Sequence, residues 1–416
     1  MTVPVPTPEP TPEQGSRATL RAIALSAYGP TLLASTGTGA IAPIIAVSAR
    51  ELGASVGLAA LLVAALGVGT LLGDLPSGAL AARIGERKAL LVAALVEAGG
   101  MALSATAGSL AMLFAGVVVI GLAASLFGLA RQAYLTEAVP VRMRARALST
   151  LGGVHRIGYF VGPFLGALVV ATWDVAAAYV VGAGASLAAF VLVLVAPDIT
   201  RRSGHGQPVR QRSVVSVLVE HRTVLLTLGV GAMWVSGART VREALVPLWA
   251  ESVGLSPSQT ALVFGVSGAV DMLLFYPSGW LMDRHGRVAA AVPSMLVLGL
   301  GMALLPLSTT LVAVTAAATV LGLGNGLGAG LIMTLGADAS PAEGRAQFLG
   351  GWRLCADVGR AAGPLALSGL SAIMTLGAAS VALGIGAVAG AVWLRIWVPR
   401  HDPTRRAGAT KDSLRE

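Results

Sequence analysis

One cysteine, Cys355, stands in the 416 residues, so no disulfide can form within the chain. Lysine is nearly missing: Lys88 and Lys411 are the only two. Charged residues make up 12%, about half of what ordinary globular domains carry, which argues against one large soluble core. The five histidines are scattered, so no metal-ligand cluster forms; no metal or cofactor is expected. No alternation of apolar and polar residues is sustained, which excludes a barrel of membrane strands. What remains abundant is apolar: 55% of the residues are hydrophobic and 53 are glycine. The net charge of +9 is spread in a way that fits a membrane surface better than nucleic acid, and no nucleic-acid partner is expected.

Twelve apolar segments follow one another, at 20–48, 55–81, 89–107, 109–138, 147–171, 175–196, 223–250, 259–282, 289–307, 310–337, 346–375 and 376–398. Each is long enough to cross a hydrocarbon layer of about 30 Å as a helix. The predicted fold class is therefore an all-α membrane protein with 12 transmembrane helices in two six-helix bundles. The boundaries read as a cytoplasmic tail over 1–19, a first bundle over 20–196, a basic linker over 197–222, a second bundle over 223–398 and a cytoplasmic tail over 399–416. The first tail is proline-rich and lacks the basic start of a cleavable signal. Most Arg and Lys fall in the tails, the linker and the even-numbered connections, whereas Arg50 alone lies in an odd-numbered one. Lys and Arg stay inside, so both termini are expected to be cytoplasmic. The Ala, Gly and Arg load suggests a bacterial source, and hence a multi-pass protein of the cytoplasmic membrane.

The two bundles repeat. PSGALAARIGER at 76–87 returns as PSGWLMDRHGR at 277–287, an offset of 201 residues. The same offset pairs Gly121 with Gly322, Glu137 with Asp338, Pro140 with Pro341, Gly158 with Gly359 and Gly162-Pro163 with Gly363-Pro364. Two parallel halves related by an axis along the membrane normal are expected, with a site between them at mid-depth. Each repeated stretch is expected to be a polar turn where the chain surfaces between two helices, because lipid cannot satisfy an open backbone.

These stretches resemble the connection between helices 2 and 3 in the major facilitator superfamily, over essentially residues 20–398. Gly279, Leu281, Asp283, Arg284, Gly286 and Arg287 carry the full pattern. The first copy keeps Gly78, Leu80, Arg83, Gly85, Arg87 and Lys88, but has Ala82 in place of the acid and Glu86 in place of a base. Segment 5 reads Gly158-x-x-x-Gly162-Pro163-x-x-Gly166 and looks like the glycine–proline signature of the drug:proton antiporters of that superfamily; close helix packing is the other explanation of these glycines. The resemblance implies a secondary transporter working by alternating access, not an enzyme. It also implies gating at the repeated turns, with Glu137 facing Arg83 and Arg87, and Asp338 facing Arg284 and Arg287.

Charges inside the segments cost at least about 2.5–3.5 kcal/mol each, so they are expected to be paired or functional. Arg239 lies about 24 Å along segment 7, with Glu243 one turn on. Arg353, Asp357 and Arg360 are spaced i, i+4, i+7 and form one stripe on segment 11. Opposite them the first half offers Arg131 and Arg156, with Asp74 and Glu97 as acids; segment 1 has no acid. A coupling carboxyl must be neutral when buried and charged when wetted. Asp271 has no arginine one turn away on its own helix, which makes it the first proton-carrier candidate, followed by Asp74 and Asp357. Tyr28, Arg131, Tyr134, Trp234, Arg239 and Asn325 are the candidate cavity residues if segments 1, 4, 7 and 10 line it. Proton-coupled efflux of a small amphiphilic molecule by a monomer in the lipid bilayer is the function expected, with protons as coupling ion. Uptake of an anionic nutrient or metabolite is the alternative, suggested by the many inward arginines.

Overall fold

The computed structural model describes residues 23–139, 141–197, 214–341 and 343–401. The first tail, residues 402–416 of the second and most of the expected linker lie outside them. Every described element is helical. Eleven helices are long and apolar enough to cross a membrane. They are α1 (Ala24–Glu51), α2 (Val56–Ile84), α3 (Glu86–Ala105), α4 (Leu110–Ala138), α5 (Val141–Thr172), α6 (Ala176–Val195), α7 (Arg222–Ser252), α8 (Pro257–His285), α9 (Val288–Leu307), α10 (Leu311–Ala339) and, last in the chain, α12 (Leu376–His401). The remaining expected segment is α11 (Arg345–Ile373), a 29-residue helix whose Arg345, Arg353, Asp357 and Arg360 make it less apolar than the others.

The duplication extends to local chemistry. At one end of the bundle Ser55 and Ser256 accept from Leu58 N and Gln259 N to start α2 and α8. Ser109 and Thr310 do the same for α4 and α10. Each hydroxyl satisfies a backbone donor that a helix start leaves unpaired. At the other end α2 and α8 stop at Gly85 (φ +85°) and Gly286 (φ +83°), a conformation open in practice to glycine alone. The repeated stretches are therefore not turns along their length. Pro76–Ile84 and Pro277–His285 are the last turns of α2 and α8, and only the glycine breaks the helix. A proline two turns from the end is tolerated because the rest of the helix is held by its neighbours.

Helices pair identically in the two halves. α1 packs on α5 and α7 on α11; α2 packs on α4 and α8 on α10; α3 packs on α6 and α9 on α12. Glycines set these approaches. A methyl on Gly158 would meet the Leu32 carbonyl, and one on Gly359 would meet the Met233 carbonyl. Gly162 lies against Thr36 and Gly363 against Gly237, Gly121 against Leu66 and Gly322 against Ser267. Every pair keeps the 201-residue offset. Gly166 lies against the Ala40 carbonyl, so the glycine–proline run of α5 is a seat for α1. In lipid such close van der Waals packing does the work that water-driven burial does elsewhere. Large apolar side chains such as Leu168, Val180, Leu300 and Val312 point outward and are more than half exposed, as a hydrocarbon-facing surface requires.

Between the halves, α2 packs against α11 and α5 against α8. Phe160 and Phe164 of α5 lie on Gly268 and Gly265 of α8, and Gly67 of α2 lies on Ala361 of α11.

Candidate transport site

Four charges meet where α2 and α11 cross. The Arg353 guanidinium reaches Asp74 Oδ1 from Nη2 at 3.4 Å and Asp357 Oδ2 from Nε at 3.4 Å. Arg360 Nη2 lies 3.6 Å from Asp357 Oδ1. Ser125 of α4 donates to Asp74 Oδ1 at 2.5 Å. The stripe read from the i, i+4, i+7 spacing is thus real, and Asp74 completes it from the other half. Asp357 is only 2% exposed. A charge so buried needs both partners, because its hydration is lost.

A second cluster joins α7, α8 and α10. Asn325 donates from Nδ2 to Asp271 Oδ2 at 2.7 Å. The other oxygens of the two side chains, Asp271 Oδ1 and Asn325 Oδ1, are both buried without a partner among the described residues. A hydrogen on Asp271 Oδ1 would turn one of these buried acceptors into a donor, and Arg239 Nε is a buried donor likewise without a partner among the described residues. Arg156 of α5 sits over the Phe275 ring at 4.5 Å, one turn beyond Asp271. Its positive charge acts on the same carboxyl.

Just past this cluster α10 is broken. The helix runs to Leu327, turns through Gly328 to Gly330 (φ +78°), and resumes at Leu331. A break inside a bundle frees carbonyls that lipid cannot satisfy. Arg239 donates to the Gly328 carbonyl, and the Ser278 hydroxyl donates to the Leu327 carbonyl at 2.6 Å, with the Ala329 carbonyl 3.2 Å away as its alternative acceptor. Arg239 therefore serves α10 as well as the interior. The sequence carried a signal for the break, the dense glycine run 322–330, which reads as close packing when only its spacing is considered. α1 is also interrupted, at Ala42-Pro43.

The remaining cavity candidates are dispersed. Arg131 lies against His155 Nδ1 at 3.3 Å, and Tyr28 donates to the Ala147 carbonyl at 3.2 Å. Tyr134, 1% exposed, is packed in the first half's own core. Trp234 packs on Gly386 and Gly390 of α12. Neither is brought to the face between the halves. Arg242, buried against Ser267 at 3.1 Å, and Tyr159, which meets Glu243 across the halves, stand closer to that face.

At the Gly85/Gly286 end the two repeats differ. Arg287 pairs with Asp338 at 2.8 Å and with Asp283 at 3.5 Å, and donates to the Met282 carbonyl. Asp283 is highly exposed. Arg284 stacks on Trp280 at 5.5 Å. In the first repeat the place of Arg287 is taken by Glu86. Arg87 gathers the carbonyls of Val193, Leu194 and Ala196 at 3.1, 3.0 and 2.8 Å and so closes the end of α6. Arg83 and Glu137 lie at this same end, on α2 and α4.

Among the described residues, the opposite end carries one ion pair. Arg50 Nε lies 3.1 Å from Glu251 Oε2, and the two residues are themselves 201 apart. Equivalent positions of the two repeats therefore touch. The last part of α1, Ile44–Ala49, is buried throughout, as is Ala244–Leu248 of α7.

The family model described as Major Facilitator Superfamily matches residues 30–241 and again 228–415, once for each repeat. The chain is 23% identical over 287 residues to the multidrug resistance protein MdtH of Klebsiella pneumoniae (strain 342), covering 69% of this chain and 70% of that protein. Among solved structures, a POT family transporter in complex with a thioalcohol-conjugated peptide superposes with a TM-score of 0.77 at 12% identity, over 92% of this chain and 96% of that one. A D-xylose-proton symporter superposes with a TM-score of 0.70 at 16% identity, over 92% and 99%. These last two likenesses speak for the fold alone.

Proposed function

The chain belongs to the major facilitator superfamily, and on that premise we propose that it exports a small amphiphilic molecule in exchange for protons. The observation that carries proton coupling is the Asp271–Asn325 pair. A proton on the acid would give its orphaned Oδ1 a hydrogen to donate, beside the equally orphaned Asn325 Oδ1. Loss of that proton leaves a carboxylate beside Arg156 and Arg239, where rearrangement of the halves can expose it. Asp74 and Asp357, bridged by Arg353, form a second coupling pair across the halves. The likeness to a multidrug resistance protein supports export.

The proposed orientation has both termini and the Gly85/Gly286 end in the cytoplasm of a bacterial cell, with Arg50 and Glu251 outside. α11 is the twelfth span, its charges turned to Asp74 rather than to lipid. The halves then touch on the outer side, the inward-facing arrangement. One charge moved across 100 mV is worth about 2.3 kcal/mol, which sustains a substrate gradient of roughly 40- to 50-fold.

The interior arginines favour a second reading, uptake of an anionic molecule with protons. Proteoliposomes under an imposed pH gradient separate the two. Export by exchange moves protons against the substrate, whereas symport moves both together. Asp271→Asn should abolish coupling in either direction, and proton movement that survives it would remove Asp271 from the mechanism.

A further inference from the structure

Glu97 of α3 belongs to neither cluster, yet it is 2% exposed and lies mid-helix. Its carboxyl is held by two hydroxyls. Thr38 of α1 reaches Oε1 at 3.0 Å, and Ser186 of α6 reaches Oε2 at 3.2 Å. Thr38 Oγ1 also lies 3.0 Å from the Ala34 carbonyl of its own helix. A threonine has one hydroxyl hydrogen and cannot give it to both. Two arrangements therefore satisfy every atom. In the ionised form, Thr38 and Ser186 both donate to the carboxylate. In the neutral form, Glu97 carries a hydrogen on Oε1 and donates it to Thr38 Oγ1, and Thr38 turns its own hydrogen to Ala34. Ser186 donates to Oε2 in both.

We propose that Glu97 is a further proton-binding site, which reports its protonation to α1 through the Thr38 hydroxyl. The Thr38 carbonyl accepts from Ala42 N, the last hydrogen bond before the Ala42-Pro43 interruption. The switch therefore sits at the point where the α1 segment that carries Arg50 and meets α7 begins. Arg131 of α4 is the charged side chain that acts on Glu97; α1 and α6 present only Thr38 and Ser186. The proposal rests on proton-coupled transport as the function, because a titrating group beside a jointed helix matters only if protons drive the cycle.

Infrared difference spectra of the full chain in lipid nanodiscs, taken between acid and alkaline pH, test the site without any substrate. A protonated-carboxyl stretch should appear at acid pH, and Glu97→Gln should remove one titrating component. Thr38→Val should leave that component in place but shift its frequency, since the acid loses its acceptor. A Glu97→Gln spectrum identical to wild type would overturn the proposal, as would a Glu97 band indifferent to Thr38→Val. Should Glu97→Gln not fold, Thr38→Val, which keeps the acid, carries the test alone. Proton counting in vesicles separates the two levels: substrate flux with no proton movement in the wild type would end the exchange reading, while the infrared result would still decide whether Glu97 titrates.

Discussion

Three acids of this interior have different kinds of partner. Asp357 is held by two guanidinium groups, Asp271 by an amide, and Glu97 by two hydroxyls. The partner decides what loss of the side chain does. Arg353→Ala leaves Asp74 and Asp357 without their shared cation, and breaking a buried pair from one side typically costs about 3–5 kcal/mol. Arg360 still reaches Asp357, so the expected loss is at the lower end, seen as a reduced melting temperature in detergent. Adding Asp357→Asn to Arg353→Ala should recover part of it, and no recovery would mean that the pair does not matter to stability. Asp271→Asn should behave differently. An amide can reproduce the neutral acid's hydrogen bonds, so folding is expected to be unchanged while coupled transport is lost.

Among the helices, glycine decides which pairs come close. Gly162→Leu would drive a side chain into Thr36 and Ala40 of α1, so α5 must move away from α1 or the protein must fail to assemble. Overpacking of this sort costs about 1–3 kcal/mol. Gly152→Ala in the same helix meets nothing within 4 Å and is expected to stabilise by about 0.5–1 kcal/mol. Thermal unfolding of the two variants in parallel checks the difference in sign. Gly286→Ala should be costly for another reason, its backbone angle, by about 1–3 kcal/mol. A harmless Gly286→Ala would mean that the end of α8 can be rebuilt. The glycine–proline run of α5 was legible in the sequence, and its contacts are those of a packing surface, repeated in α11.

Across the molecule, the Arg50–Glu251 pair joins equivalent points of the two repeats. Both side chains are about a third exposed, so the pair is worth at most about 1 kcal/mol. An energy of that size cannot hold the fold together, but it can shift a balance between two arrangements by roughly fivefold. Arg50→Glu should shift that balance toward separation of α1 and α7 at this end, read as longer spin-label distances between them. The double variant Arg50→Glu with Glu251→Arg should restore the short distance. If single and double variants behave alike, the contact has no part in the equilibrium.

The helical spans, their duplication and the charges that must turn inward were all legible in the order of the residues. Each is encoded locally or by a fixed offset: apolar length for the spans, the repeated stretches for the duplication, and the i, i+4, i+7 stripe for α11; that the helices run on to Gly85 and Gly286 was not legible. Only the tertiary structure decided which face of each helix meets which neighbour. In a lipid-embedded bundle apolar residues run all round a helix, so no polar–apolar boundary marks the inner face. For this reason Tyr134 and Trp234 read as cavity residues and are packed elsewhere, while Thr38 and Ser186 gave no sign of meeting on Glu97. The break in α10 was hidden for the same reason. Its glycines allow either close packing or a turn, and it is the reach of Arg239 and Ser278 from other helices that makes the turn affordable in lipid.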